Sequence, residues 1–253
     1  MTGALSGRTA LITGGGVGIG KAIALALASA GAEIAVTYRT HAPEPAFVES
    51  VRSLTGKPPL AVQLDATSEP DVITAAEVIG KEFGRLNILV NNVGGLVRRS
   101  SVKEMDYRLW KDVMAVNLDS LFLVTHHLLP VLDTSGGRVI NVASLAGRSG
   151  GHAGATAYAT AKAAVFGFTR GLAKELAGEG TTVNALAPGF IEATPFHDTF
   201  TTAESKAQTI AAIPAGRAGT PEDVADAAVW LASPGAAYVN GTVIDINGAQ
   251  YFG

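Results

Sequence analysis

The sequence predicts an α/β fold, a doubly wound parallel sheet of about seven strands with helices on both faces. Three observations predict it. Short apolar runs alternate with helical periodicity along all 253 residues. A strand-like run feeds straight into a glycine-rich turn and then a helix. The composition, 47% hydrophobic with only 16% charged residues, suits one well-filled core, so residues 1–253 are expected to form a single domain. Such alternation implies right-handed crossovers and a ligand crevice beyond the carboxyl ends of the strands, where strand order reverses.

The elements follow in order. Thr9-Ala-Leu-Ile-Thr reads as a buried strand over 9–13, and Gly14-Gly-Gly-Val-Gly-Ile-Gly20 follows at once. Glycines there let backbone approach a pyrophosphate, whose charge the free N–H groups of a helix start favour. A helix over 18–30 is built from small residues and stops at Gly31. Strands are predicted at 33–38 and 60–64 and helices at 44–54 and 70–83, with His41 to Pro45 and Gly56 to Pro59 as loops. Leu86-Asn-Ile-Leu-Val opens a strand over 86–91, and a long helix covers 104–130. Val139-Ile-Asn-Val-Ala-Ser144 belongs to a strand over 137–144, a helix occupies 155–178, and Thr182-Val-Asn-Ala-Leu-Ala is the sixth strand, leading into Pro188-Gly189. A helix at 221–232 and a strand at 242–246 complete the pattern. The segment 190–217 breaks the rhythm. Its Phe196, Phe200, Ile210 and Ile213 suit an apolar-lined substrate lid or the ordinary packing of a satellite helix. Gly14, Asn91, Ser144 and Pro188 all fall at or just past strand ends, around one crevice.

Tyr158 and Lys162 stand four residues apart in a helical stretch, so one face carries a phenol and an ammonium. A free phenol titrates near pH ~10, and a neighbouring cation lowers that value toward the range of an acid–base catalyst. Chance helical spacing is the alternative for this pair alone. The residues between Ser144 and Tyr158 read as a loop until the helix begins.

Taken together, Thr13-Gly14-x-x-x-Gly18-x-Gly20, Asn91-Asn-Val-Gly94, Asn117 in its long helix, Ser144, Tyr158/Lys162 and Pro188-Gly189 resemble the classical short-chain dehydrogenases/reductases over nearly the whole chain. The resemblance implies a Rossmann fold and an oxidoreductase that moves hydride between a nicotinamide cofactor and a ketone or secondary alcohol. It implies that Ser144 hydrogen-bonds the substrate oxygen, that Tyr158 transfers the proton, and that Lys162 lowers the phenol pKa and holds the nicotinamide ribose. Asn117 is implied in a water relay to Lys162. A capping serine and a self-satisfied buried asparagine are the alternatives for Ser144 and Asn117.

The resemblance also implies the cofactor contacts. They are Thr13, Gly14, Gly16, Gly18, Ile19 and Gly20 around the glycine turn, then Tyr38, Arg39, Asp65, Ala66, Asn91, Val93, Gly94, Tyr158, Lys162, Pro188, Gly189, Ile191 and Thr194, with Asp65 resembling the residue that addresses the adenine and Thr194 the one that meets the carboxamide. No carboxylate ends the second strand, Ile34-Ala-Val-Thr-Tyr-Arg39, and Arg39 is suited to a 2′-phosphate, so NADP(H) is expected over NAD(H). An exposed arginine at a strand exit is the alternative. Val17 fills the place of the family's other basic residue. Two stretches are one residue longer than the common pattern: the loop over 147–154 and the run Phe190-Ile-Glu-Ala-Thr194.

Other classes are disfavoured. The net charge is −3 with no basic stripe, which argues against nucleic acid. The absence of cysteine excludes disulfides and thiolate metal sites, and the scattered His126, His127, His152 and His197 suggest no metal centre. No charged segment precedes an apolar core at the start, and no run is expected to approach ~18 apolar residues, so neither secretion nor a membrane span is expected and a cytoplasmic location is. Val239-Asn-Gly-Thr-Val-Ile-Asp-Ile-Asn-Gly248 resembles 3-oxoacyl-carrier-protein reductases, but Ser135 and Glu179 stand where those place arginines for an acidic carrier. A free ketone, keto ester, sugar or polyol therefore remains open beside a carrier-linked substrate. Leu109, Trp110, Val113, Val116, Leu121, Phe122 and Val124 exceed one apolar stripe, which suggests a helical interface in a homotetramer or full burial within one subunit. A non-catalytic dinucleotide sensor is the reading of another class. Retention of Ser144, Tyr158 and Lys162 together argues against it.

Overall fold

The computed structural model describes residues 3–194 and 203–253. Seven parallel strands form one sheet in the order β3-β2-β1-β4-β5-β6-β7. They are β1 (Thr9–Ile12), β2 (Glu33–Tyr38), β3 (Leu60–Gln63), β4 (Ile88–Asn91), β5 (Arg138–Val142), β6 (Thr182–Pro188) and β7 (Val243–Ile246). The chain winds outward from β1 to β3, returns to the other side of β1 at β4, and then winds the opposite way. That reversal opens the crevice between the loops after β1 and β4. Each strand lies within a few residues of its sequence-predicted range.

Helices α1 (Gly18–Ser29), α2 (Pro45–Thr55), α3 (Glu69–Phe83), α4 (Tyr107–Met114), α5 (Ser120–Leu128), α6 (Ala146–Ser149), α7 (Thr156–Leu176), α8 (Ala203–Ala211) and α9 (Pro221–Ala232) connect or cap them. On one face, Ile23 and Leu27 of α1, Phe47 and Val51 of α2, and Val224 and Leu231 of α9 bury against Ile12, Val36, Val90 and Leu186. On the other, Val72 and Ile79 of α3, Val124 and Leu128 of α5, and Leu172 and Leu176 of α7 cover Leu11, Leu89, Val139 and Val183. The central strands are buried on both faces, which is why they read as continuous apolar runs instead of alternating.

One helix departs from the expectation: the four-residue α6 lies inside the loop after Ser144, whereas α8 lies in 190–217, where a satellite helix was the alternative to a lid. The long predicted helix is real but interrupted. Ala115–Asp119 is a π-helical turn between α4 and α5, placing Asn117 at the bulge, 1% exposed.

The stretch Tyr107–Val131 has a mean hydropathy of 1.2 over an 18-residue window, but Asn117, Asp119, His126 and His127 interrupt it, so it holds no run of ~18 apolar residues. Its apolar content serves packing. Leu109, Val113, Leu121, Val124 and Leu128 are buried within the fold, and the same stretch leaves Tyr107 and Phe122 largely exposed. Phe196, His197 and Phe200 lie outside the described residues.

Candidate active site

A crevice of about 1020 Å³ opens at the carboxyl ends of β1, β4, β5 and β6. Of the sequence-predicted residues it brings together Gly14, Gly18, Ile19, Val93, Gly94, Ser144, Tyr158, Lys162, Pro188, Gly189, Ile191 and Thr194. Thr13, Gly16, Gly20, Tyr38, Arg39, Asp65, Ala66, Asn91 and Asn117 do not form its wall, and most of them shape it from behind or extend it toward β2 and β3.

Its glycine end is a cradle. Gly14 has φ +62 and its N–H donates to Thr37 Oγ1 at 3.1 Å. A Cβ on Gly20, in the first turn of α1, would stand 2.5 Å from Gly14 O, so only glycine lets helix and turn meet. A Cβ on Gly94 would stand 2.8 Å from both Asn117 Oδ1 and Lys162 Nζ. The backbone is thus kept clear of side chains where a dinucleotide would lie, and the volume is ample. The residues fit that group.

Thr13 works behind the wall. Its hydroxyl oxygen accepts from Asn92 N at 2.9 Å and Val93 N at 3.1 Å, tying the end of β1 to the end of β4. Asn92 Nδ2 donates to Thr13 O at 2.9 Å, and Asn92 lines the crevice. Asn91 turns inward instead. Its Nδ2 donates to Thr125 Oγ1 and to Asn141 Oδ1, both at 2.9 Å, and Asn141 continues to Thr169 Oγ1 at 3.0 Å. Successive strand residues face opposite sides, so one position of offset separates a wall residue from a core residue.

Ser144 leaves the end of β5. Its Oγ accepts from Ala146 N at 3.1 Å, opening α6, and its side chain hydrogen-bonds Tyr158. A local turn contact and a contact with the Tyr158 phenol therefore coexist in one hydroxyl. Lys162, 3% exposed, donates from Nζ to Val142 O at 2.8 Å, and its Nζ stands 5.8 Å from the Tyr158 ring centroid.

The expectation that Lys162 lowers the phenol pKa is corrected here. Burial raises Tyr158 above the ordinary phenol value, and the Ser144 hydrogen bond opposes that rise. Burial also pulls the Lys162 ammonium down to about 8. Desolvation penalises the charged form of each, and the lysine spends a donor on a carbonyl rather than on the phenol. Lys162 still carries its proton at neutral pH.

Asn117 is held on three sides. Its Oδ1 accepts from Gly95 N at 2.9 Å, while Nδ2 donates to Gly95 O and Val113 O, both at 2.8 Å. The side chain ties the loop after β4 to α4 and the π turn. Tyr38 ends β2, next to Arg39. At that exit Arg39 Nε lies 3.4 Å from Asp65 Oδ2. Asp65 Oδ1 accepts from Thr67 Oγ1 at 2.7 Å and from Thr67 N at 3.0 Å, and these contacts hold the carboxyl below its usual range against partial desolvation. Ala66 is buried beneath them.

At the lid end, Thr194 is buried and donates to Ile191 O at 3.2 Å, and Ala193 adopts φ +53. Phe190, Ile213 and Ala218 cluster with Ile210, so both described apolar residues of the expected lid lie within this packing. His152 reaches the crevice, whereas His127 pairs with Glu69 at 3.1 Å on α3. Among the described residues no three His, Asp or Glu side chains gather to hold a metal. Asn92, Arg99, Gln250 and Tyr251 line the crevice without having been singled out. Asn92 was legible in the Asn-Asn pair, whereas the other three depend on loops whose course no periodicity encodes.

Comparison with known proteins agrees with this geometry. The profile of the family described as enoyl-(acyl carrier protein) reductase matches residues 15–248. The chain is 39% identical over 251 residues to the 3-oxoacyl-[acyl-carrier-protein] reductase of Vibrio cholerae, covering 98% of each, and 35% identical over 246 residues to that of Escherichia coli, covering 97% of this chain and 98% of the other. Among solved structures it resembles a protein assigned as an NAD(P)-dependent gluconate 5-dehydrogenase from Beutenbergia cavernae, solved with NADP at low occupancy, with TM-score 0.88, 37% identity and 97% of each chain covered. It also resembles an NADH-dependent reductase responsible for alginate metabolism, with TM-score 0.89, 30% identity and 98% of this chain and 99% of that one covered.

Proposed function

The chain belongs to the short-chain dehydrogenase/reductase family, and from that premise we propose that Ser144, Tyr158 and Lys162 carry a carbonyl reduction with NADP(H) preferred over NAD(H). As a member it is an NAD(P)-dependent oxidoreductase acting on CH–OH/C=O groups. The observation that carries the assignment of roles is the convergence of those three side chains on one crevice with a side-chain-free cradle beside it.

When bound, the nicotinamide supplies or accepts the hydride at the substrate carbon. The protein does the rest. Ser144 Oγ orients the substrate oxygen, and Tyr158 gives its proton to that oxygen as hydride arrives, or takes it back in the oxidation. The phenol is protonated at neutral pH and so can act as the acid in the reduction, with the phenolate as the base in the reverse reaction. Lys162 places a positive charge under that oxygen and offers its remaining donors to the ribose. Asn117 holds Gly95, and with it the loop that contains Gly94, against Lys162. Gly14, Gly16, Gly18, Ile19 and Gly20 present backbone to the phosphates; Thr13 and Asn91 support that wall; Val93, Pro188, Gly189, Ile191 and Thr194 frame the nicotinamide. Tyr38, Arg39, Asp65 and Ala66 form the adenosine end, where Arg39 receives a 2′-phosphate. One solved relative carries NADP and the other is NADH-dependent, so the preference rests on Arg39 and not on the likeness.

The same reading treats residues 1–253 as one domain with the described parts of the lid segment, among them Thr194, Ser205 and Thr209, beside the substrate, a homotetramer joined through the α4–α5 and α7 helices, and a cytoplasmic enzyme of small carbonyl or alcohol substrates. The curated relatives favour a second reading, reduction of a carrier-linked 3-oxoacyl group. Against it, Ser135 and Glu179 offer no cation to an acidic carrier. Ser135 hydroxyl is turned onto Asp133 Oδ1 at 2.8 Å.

A panel of carbonyl compounds, with carrier-linked and free 3-oxoacyl thioesters included, read by NADPH absorbance, tests both readings. Turnover that disappears in Tyr158→Phe while NADPH still binds is the expected result. Undiminished turnover in that variant removes the assignment, and a kcat/KM far higher for the carrier-linked thioester selects the second reading.

A further inference from the structure

The crevice wall holds two basic side chains, Arg99 and Lys162, and no Asp or Glu among the described residues. Lys162 belongs to the catalytic floor. Arg99 lies in the loop after β4, on the substrate side, beside Ser149, His152 and Ala153. One of its donors is used: NH1 reaches Ala153 O at 3.2 Å, and Ser100 N donates to Gly154 O at 3.0 Å, so two contacts pin this loop to the turn beyond α6.

The other guanidinium donors, Nε and NH2, have no partner among the described residues. Arg98, one residue earlier, lies 3.5 Å from Asp106, and Arg148 near the same rim is held by Asp245 at 3.3 Å. Arg99 is thus the arginine of this rim that faces the crevice without a carboxylate. One arm of its fork is anchored, and the remaining donors have no partner among the described residues. A planar fork preset in this way matches a carboxylate by two parallel N–H···O contacts. Gln250 adds a complementary signal, because its Oε1 is buried and without a partner at the same crevice, an acceptor suited to a hydroxyl donor.

We infer that Arg99 is a specificity-determining residue that receives a carboxylate on the substrate, so that the enzyme acts on small oxo acids or hydroxy acids rather than on uncharged carbonyls or long acyl chains. The inference rests on the oxidoreductase reading and names its substrate class. A cation with no carboxylate beside it in the crevice gains from a ligand that brings the missing anion.

The test compares free oxo acids of short chain, with and without additional hydroxyls, against their methyl esters, in the wild-type protein, Arg99→Leu and Arg99→Lys. Wild type should prefer acid to ester in kcat/KM by about tenfold or more, mostly through KM. Arg99→Leu should collapse that ratio to near one, and Arg99→Lys, which keeps the charge and loses the fork, should restore part of it. The ester is the internal control for folding, since ratios are read within each variant. A wild-type protein that prefers esters, or an acid-to-ester ratio that Arg99→Leu leaves as it was, overturns the inference while Tyr158-dependent turnover of the ester leaves the oxidoreductase reading standing. NADPH consumption with neither acid nor ester, nor with any other carbonyl, removes both.

Discussion

At the catalytic end of the crevice Lys162 is 3% exposed and its described hydrogen bond goes to a backbone carbonyl; at the adenosine end the Arg39 side chain is 71% exposed and faces Asp65 across 3.4 Å. Both are single cations expected to meet the same cofactor. The buried one is fixed by packing and shifted strongly by desolvation, whereas the exposed one is screened by water and held by an ion pair of small net worth. The first end is therefore built to be precise, and the second to be adjustable. Substitutions should cost orders of magnitude at one end and shift preferences at the other.

The largest expected effect is at the substrate oxygen. Ser144→Ala should lower kcat by about 10²-fold or more with a smaller change in KM, because the hydroxyl is proposed to act on charge that grows in the transition state. Steady-state kinetics on the best carbonyl of the panel decide it. A change in KM alone would mean that the serine only caps α6. Next comes the cradle. Gly94→Val places a branched side chain where a Cβ already lies 2.8 Å from Lys162 Nζ and Asn117 Oδ1. NADPH affinity, followed by fluorescence titration, should fall by about tenfold or more. Retained affinity would show that this approach is not part of the cofactor path.

Lys162 offers a test with a defined sign. In the unfolded chain it titrates near the ordinary 10.5, and in the native chain near 8. Between those values the unfolded chain holds a proton that the native chain has released, so native stability rises with pH across that window. Below about 8 the cost of burying the charge is fully present, on the order of 3 kcal/mol. Lys162→Met removes that cost but leaves Val142 O without a donor, for about 1 kcal/mol. In the cofactor-free protein the variant should be more stable than wild type at pH 7, by roughly 1–2 kcal/mol, and the gap should narrow toward pH 10. Urea unfolding at several pH values measures it, and a pH-independent gap would show that the ammonium is better solvated than its burial implies.

The same contrast explains what was legible in the sequence. The sheet, its strand ends and the Tyr158/Lys162 pair follow from local patterns: apolar runs, glycines at turns and helical spacing. The fold carries those patterns over to within a few residues, and at β2, 33–38, without change. Asn117 was visible as a residue, but the π turn that buries it has no sequence period of its own. The direction of the Tyr158 shift was misjudged because a neighbouring cation is evident in sequence, while the enclosure that outweighs it is a tertiary property. Thr13 and Asn91 were placed at the right strand ends, but which way a side chain turns at the last rung depends on an offset of one residue. Arg99 was passed over because its freedom is defined by which carboxylates are absent around it, and that is known only once the loops are in place.

The smallest expected effect lies at the adjustable end. Arg39 cannot give its full charge to a 2′-phosphate while Asp65 holds its Nε, so the two anions compete for one guanidinium. Arg39→Asp should shift the NADPH-to-NADH affinity ratio toward NADH by about ten- to a hundredfold, reversing the proposed preference, since it removes an attractive contact and adds a repulsive one. Asp65→Asn should act the other way and more weakly, raising NADPH affinity about two- to fivefold as the competitor is neutralised, with the loss of the Thr67 contacts limiting the gain. Both shifts should shrink as ionic strength rises past 0.1 M, where the screening length falls to about 10 Å and below. Dissociation constants for NADPH and NADH at low and high salt make the distinction. A cofactor ratio that ignores both substitutions and salt would place the selecting charge elsewhere and make this end as rigid as the catalytic one.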